Sequence, residues 1–160
     1  TDAMLANPAP GDWLTWRRTL DSQGFSPLKQ IDRSNVKNLR VAWSWSLPPG
    51  PNTAAPLVHD GVMFVQGYTD QVEALDAATG DLLWQYSRWL PKGVSPGLKR
   101  AIALGGDKLF VPTSDVHIVA LDVTAARVTV VVEDARAPFA PDDAPPLDVT
   151  APLDDPGRAR

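Results

Sequence analysis

Ala74-Leu75-Asp76-Ala77-Ala78-Thr79-Gly80-Asp81-Leu82-Leu83-Trp84 is the stretch on which the reading of this chain turns. An apolar run closes on an aspartate, a four-residue turn ending in glycine follows, and apolar residues resume until a tryptophan. Each position has a mechanical use. Ala74 is small enough for a neighbouring indole to lie against the backbone. Asp76 can accept hydrogen bonds from the turn, Gly80 supplies the turn geometry, and Trp84 carries a large ring suited to filling an interface. The stretch is also half of a repeat. Phe64-Val65 returns as Phe110-Val111, and Ala74-Leu75-Asp76 returns as Ala120-Leu121-Asp122, both 46 residues further on with no gap.

Working outward, turn signals cut the first unit into four short strands: Pro56 to Val58, Val62 to Gln66, Val72 to Leu75 and Leu82 to Tyr86. Asp60-Gly61 is a hairpin signal, because both central positions of the tight turn need positive φ. The same offset predicts strands at Arg100 to Leu104, Lys108 to Pro112, Ile118 to Leu121 and Arg127 to Val132. Four strands per unit at a fixed period predict an all-β chain, a partial tryptophan-docked β-propeller of two blades. In the second unit Ala126 and Val130 stand where the first has Gly80 and Trp84. A third interface is therefore poorly specified.

The remaining sequence divides around these units. Residues 1–47 read as a strap and a ring-closing strand, 48–90 as the first blade, 91–132 as a degenerate second blade and 133–160 as a tail. Pro8, Pro10 and Gly11 predict an irregular lead-in; Trp13, Trp16 and Phe25 predict a strap packed over a sheet. Asp32 or Ser34 is placed to cap a short helical turn through Val36 to Leu39. Val41 to Leu47 alternates as a half-buried strand does, and in a closed ring it would pair with the last blade. The tail is rich in Ala, Asp and Pro with Phe139 its one aromatic, a composition that predicts disorder. The repeat fits through Asp122 and then stops within a few residues, so we expect a reading-frame shift or fusion near residue 123. The start at Thr1 without an initiator Met predicts a removed leader or a fragment.

Composition sets outer limits. With 15 basic and 19 acidic residues the net charge is −4, and no basic groove is visible, which argues against a nucleic-acid or anionic-membrane partner. No apolar stretch is long enough to span a bilayer as a helix. There are no cysteines, so disulfide frameworks and thiolate metal sites are excluded. Sixteen prolines fall mostly outside the strands, as an all-β chain requires.

Thr1-Asp2-Ala3-Met4-Leu5, Gly11-Asp12-Trp13-Leu14-Thr15-Trp16-Arg17-Arg18-Thr19-Leu20-Asp21 and Ser26-Pro27-Leu28 resemble the start of mature pyrroloquinoline quinone (PQQ)-dependent alcohol dehydrogenases. Ala55-Pro56-Leu57-Val58, Asp60-Gly61-Val62-Met63 and the motif ending at Trp84 extend the resemblance in order to about residue 122. It implies an eight-bladed propeller in the periplasm that oxidises an alcohol with PQQ and a calcium or lanthanide ion. Hydride would pass to the quinone, a carboxylate would take the hydroxyl proton, and a cytochrome would accept the electrons.

Carried over residue by residue, the resemblance marks two cofactor positions. Arg100 matches an arginine that pairs with a cofactor carboxylate, work suited to a planar, two-pronged donor. Thr53 stands where a glutamate is usual, three residues before Pro56, so one cofactor contact is altered. The family's adjacent cysteine pair would fall near Val94-Ser95 and is absent. The resemblance puts the catalytic base and metal ligands in later blades, so no catalytic or metal residue is assigned and the isolated chain is expected to be inactive. His59 and His117 stand without partners at ligand spacing. Asp12, Asp60, Asp70 and Asp115 read as turn residues bonding their own backbone. Gly105-Gly106 joins two strands and is not a phosphate loop. The alternative function is a non-catalytic propeller module for assembly in the cell envelope; a lipobox cysteine in the precursor would favour it.

Overall fold

The computed structural model describes residues 2–99, 101–124 and 128–132. It contains two four-stranded antiparallel meanders. The first holds β1 (Leu57–His59), β2 (Val62–Gln66), β3 (Gln71–Asp76) and β4 (Leu82–Ser87), and the second holds β5 (Ala103–Gly105), β6 (Lys108–Pro112), β7 (Ile118–Asp122) and β8 (Val128–Val132). The registers repeat as the sequence does. Leu57 faces Phe64 as Ala103 faces Phe110, and Phe64 faces Ala74 as Phe110 faces Ala120. Even the irregularity is copied, with a register shift at Ala74/Leu75 and again at Ala120/Leu121.

Local chemistry accounts for the turns. Asp60 and Gly61 have φ of 47° and 77°, the positive pair a two-residue hairpin demands. Asp76 Oδ1 accepts from the Ala78 and Thr79 amides at 2.8 and 2.9 Å, and Asp122 Oδ1 accepts from the Thr124 amide at 2.8 Å. Those amide bonds, Thr79's foremost, hold the Asp76 carboxyl below its ordinary range.

The sheets stack front to back, as units of a repeat do. Phe64, Val72, Ala74, Trp84 and Tyr86 line one face of the first sheet, and Leu109, Val111, Val119 and Leu121 line the opposite kind of face on the second. Together with Leu14, Leu57, Ile102 and Leu104 they form one buried core. Period-2 alternation chooses the faces. Repeated burial of one face against the other kind of face leaves the front of the second sheet open, where Phe110 and Ile118 remain 40% and 47% exposed.

The N-terminal segment departs from expectation in three places. Residues Asp2–Ala6 form a short helix, α1, where an irregular lead-in was expected, and Met4 and Leu5 pack on the core. Apolar contact outweighs the nearby prolines because these begin only at Pro8. The strap touches the sheet through few residues: Trp13 exchanges two backbone bonds with Val58 and Leu14 is buried, but Trp16 and Phe25 are exposed. Val41 to Leu47 is not a strand, since no strand among the described residues pairs with it. The expected turn does form, as a 3-10 helix at Val36–Asn38, but its N-cap is Asn35 and no side chain caps it; Asp32 Oδ1 instead accepts from the Ser34 and Asn35 amides ahead of the helix. The predicted strand at Arg100 to Leu104 is displaced to Ala103–Gly105. Arg100, Arg127 and the tail 133–160 lie outside the described residues.

Candidate functional site

Antiparallel order sends all connections to two ends of the sheets. One end gathers the segment before β1, the β2–β3 turn, the segment from Arg88 to β5 and the β6–β7 turn. Here two links between sheets join a residue to its own counterpart in the next repeat. Thr53 donates its hydroxyl to the Lys99 carbonyl at 2.8 Å, and Gln66 Nε2 donates to the Pro112 carbonyl at 3.0 Å, each spanning 46 residues. Asn52 and Lys99 form a parallel bridge beside the first of these.

Charges tie the same end together. Lys99, 6% exposed, makes an ion pair with the fully buried Asp70 at 2.7 Å. Its ammonium also donates to Ser114 Oγ at 2.5 Å and to the Gly97 carbonyl at 3.1 Å. Asp70 Oδ2 accepts from the Ser114 amide at 2.9 Å. Nearby, Arg88 grips Asp115 through Nε and Nη2 at 2.6 to 3.0 Å. Burial opposes ionisation of Asp115, but donation from Arg88 and Thr113 outweighs it and holds the carboxyl below its ordinary range. Tyr86, beneath Arg88, is raised by burial.

The opposite end is held by indoles. Trp84 Nε1 donates to the Val123 carbonyl of the second sheet at 3.0 Å, and its ring lies 5.9 Å from Phe64. Trp43 does the same to the first sheet, donating to the Ala77 carbonyl at 3.2 Å. Ala77 and Val123 are counterparts in the two repeats, so both indoles take one seat. Gly80, at φ 79°, lies directly under the Trp43 ring: a Cβ there would sit 2.6 Å from it. Trp45 donates to Glu73 Oε2 at 2.7 Å, and burial pushes the Glu73 carboxyl up despite that bond and one from Gln71.

Against the sequence expectations, Thr53 stands at the charged end, and Arg100 lies outside the described residues. Neither His59 nor His117 is alone: Nδ1 of His59 lies 2.9 Å from Asp12 Oδ2, and Nδ1 of His117 lies 2.8 Å from the Asp115 carbonyl and 3.3 Å from Asp115 Oδ2. Asp12, Asp70 and Asp115 do not serve only their own turns; each binds a distant segment, Asp12 because the strap pairs with β1 at Val58, Asp70 and Asp115 because front-to-back stacking brings the other sheet within reach. Asp60 does occupy its turn. Among the described residues no three His, Cys, Asp or Glu converge as a metal cage would require. No helix among them is long and apolar enough to cross a membrane. Sequence reasoning missed Lys99 and Asp70, for which the one signal is that Lys99 occupies the counterpart position of Thr53.

Known proteins share both the sequence and this geometry. The family model described as PQQ: glucose/ethanol/alcohol dehydrogenase, beta-propeller domain, matches residues 13–129. The quinohemoprotein alcohol dehydrogenase ADH IIB of Pseudomonas putida is 41% identical over 128 residues, which cover 74% of this chain and 18% of that protein. The dehydrogenase subunit of the alcohol dehydrogenase (quinone) of Gluconacetobacter polyoxogenes is 39% identical, covering 77% of this chain and 18% of the relative. Among solved structures, a europium-containing methanol dehydrogenase aligns with TM-score 0.74 and 28% identity over 84% of this chain and 25% of its own. The quinohemoprotein alcohol dehydrogenase of Comamonas testosteroni aligns with TM-score 0.69 and 31% identity over 82% and 21%. The chain thus spans about a fifth of the length of these relatives, and its two open sheets are a partial propeller. Matched over most of its length in sequence and in sheet geometry, this chain belongs to the β-propeller family of PQQ-dependent alcohol dehydrogenases.

Proposed function

We propose that these residues form two neighbouring blades of a PQQ-dependent alcohol dehydrogenase and contribute one wall of its cofactor site. The observation that carries this reading is the single indole seat used twice, by Trp43 on the first sheet and by Trp84 on the second. A seat occupied at both successive interfaces belongs to a stack continuing beyond two sheets. On this reading Val41 to Leu47, unpaired among the described strands, would find its ladder only against the last blade of the closed ring, and the open front around Phe110 and Ile118 meets a following blade. The blade limits are those of the sequence, 48–90 and 91–132.

The charged end is the proposed cofactor side. PQQ, when bound, supplies the two-electron acceptor for alcohol oxidation. Its carboxylates call for donors, and Arg100 is the residue we assign to one of them. Thr53 fits that role less well, because its single hydroxyl hydrogen is committed to the Lys99 carbonyl and only lone pairs remain for an anion. Lys99 fits it no better, since its buried ammonium is already paired with Asp70 and donates to Ser114 Oγ and the Gly97 carbonyl. We assign the catalytic base, the calcium or lanthanide ligands, the cytochrome contact and a periplasmic setting to the complete ring, as the resemblance in sequence implies.

A graft tests this. Residues 13–129 replace the matched segment of the Pseudomonas putida enzyme, and alcohol-dependent dye reduction is followed with PQQ and calcium. The graft is expected to oxidise alcohol and the 160-residue chain alone to be inert. A folded but inactive graft would overturn the assignment, and turnover by the isolated chain would overturn the partial-site reading.

A further inference from the structure

Side chains of the first sheet reach across the charged end to one short stretch of the second, Pro112 to Asp115. Gln66 Nε2 donates to the Pro112 carbonyl, Asp70 Oδ2 accepts from the Ser114 amide, and Tyr86 lies beside the Arg88–Asp115 pair. Gln66 and Tyr86 flank Val72 in register, one on each side, so both side chains leave the same face of the sheet. All are buried: Asp70 and Tyr86 have 0% exposure and Gln66 has 1%. Each nevertheless ends in an oxygen with no hydrogen-bond partner among the described residues, namely Gln66 Oε1, Asp70 Oδ1 and the Tyr86 hydroxyl.

Rearrangement within the protein does not supply the missing partners. Turning the Gln66 amide over would set its oxygen against the Pro112 carbonyl and lose the bond its nitrogen makes. Asp70 Oδ1 lies 2.7 Å from Lys99 Nζ and feels its charge, but the ammonium donates to Ser114 Oγ and the Gly97 carbonyl. Arg88 acts on the phenol electrostatically, yet its Nε and Nη2 are turned on Asp115. Buried polar atoms are seldom left unpaired, and a group of them at one junction between sheets marks a place where a small molecule binds. Chemistry selects that molecule. The amide and carboxylate oxygens only accept, whereas the phenol has a hydrogen to give. An anion would face acceptors, and a metal cation would sit beside the Lys99 ammonium. A small neutral molecule that donates twice and accepts once balances the set.

We propose that this junction is a binding site for water, held by Gln66 Oε1, Asp70 Oδ1 and the Tyr86 hydroxyl. The water donates to the amide and carboxylate oxygens and accepts from the phenol. It ties the Lys99–Asp70 pair to the group formed by Tyr86, Arg88 and Asp115, making one network of the ion pairs at the charged end. The inference does not depend on the PQQ reading, and neither result below bears on that reading.

The test counts long-lived internal waters in the 160-residue chain by magnetic relaxation dispersion of the solvent oxygen nucleus. Gln66→Met combined with Tyr86→Phe removes the amide and phenol anchors together, and the count is expected to fall below that of wild type. An unchanged count in the folded double variant would overturn the site. Where the double variant does not fold, Tyr86→Phe alone decides, by the sign of its melting shift. A hydroxyl bonded to water loses that bond on removal, so the melting temperature should drop by a few degrees. A stranded hydroxyl destabilises the fold that buries it, so its removal would leave the melting temperature level or raise it, and either result would overturn the proposal.

Discussion

The two ends of the sheet stack are joined by opposite chemistries. At one end Trp43 and Trp84 lay apolar rings across an interface and spend one indole hydrogen each on a carbonyl. At the other, Lys99, Asp70, Arg88 and Asp115 join the sheets through buried charge. A docked ring gains from burial whichever orientation it finally takes, so it drives association. A buried ion pair gains little over an apolar substitute but penalises every arrangement in which one partner is missing, so it fixes geometry. The indole end accordingly holds the blades together, and the charged end sets their relative height where the cofactor wall is proposed.

Removing an indole should have the largest effect. Trp84→Ala is expected to lower stability by about 3–5 kcal/mol in urea melts, the range for truncating a buried tryptophan. A loss under about 1 kcal/mol would mean that the ring does not carry the interface. Next comes Arg88→Met, which strands the buried Asp115 carboxylate. A loss of about 3 kcal/mol is expected, and adding Asp115→Leu should recover most of it, because removing both charges of a pair is far less damaging than removing one. No recovery in the double variant would show that the guanidinium contributes by packing.

Gly80→Ala should be smaller, about 1–3 kcal/mol, from the strain of positive φ and from crowding against Trp43. The same substitution combined with Trp43→Ala should cost less than the sum, which separates crowding from backbone strain. The smallest effect is a pH dependence. Glu73 is raised above 4.5 in the fold, so its ionisation opposes folding at neutral pH and the penalty fades as pH falls towards that value. Glu73→Gln should therefore stabilise by under about 1 kcal/mol at pH 7, with the gain vanishing near pH 4.5. Asp115 runs the other way: held below 3.8, it contributes fully above that pH and its contribution is lost as pH falls further. Thermal melts of Glu73→Gln and Asp115→Asn across the acid range should diverge in opposite directions.

The same comparison explains how much was legible. The indole end is encoded locally: Asp76, Gly80 and Trp84 lie within one turn and one strand, and each residue type has one use there. The registers followed, because a 46-residue period fixes every pairing once one is known. The charged end is not local. Asp70 and Lys99 are separated by two strands and a long connection, and they meet only because the sheets stack front to back. An aspartate in a turn reads as a turn residue until the neighbouring sheet is in place. The strand expected at Val41 to Leu47 had the right alternation, but a strand also needs a ladder, and no strand among the described residues supplies one.

The most direct test of the account is hydrogen exchange at the tryptophan indoles of the 160-residue chain, read by nitrogen–proton spectra. Trp43 and Trp84 share a seat and Trp45 is bonded to Glu73, so their indole hydrogens should be protected together, while the exposed Trp16 and Trp89 exchange at once. Exchange of Trp84 as fast as that of Trp16 would contradict the docked repeat, and with it the propeller.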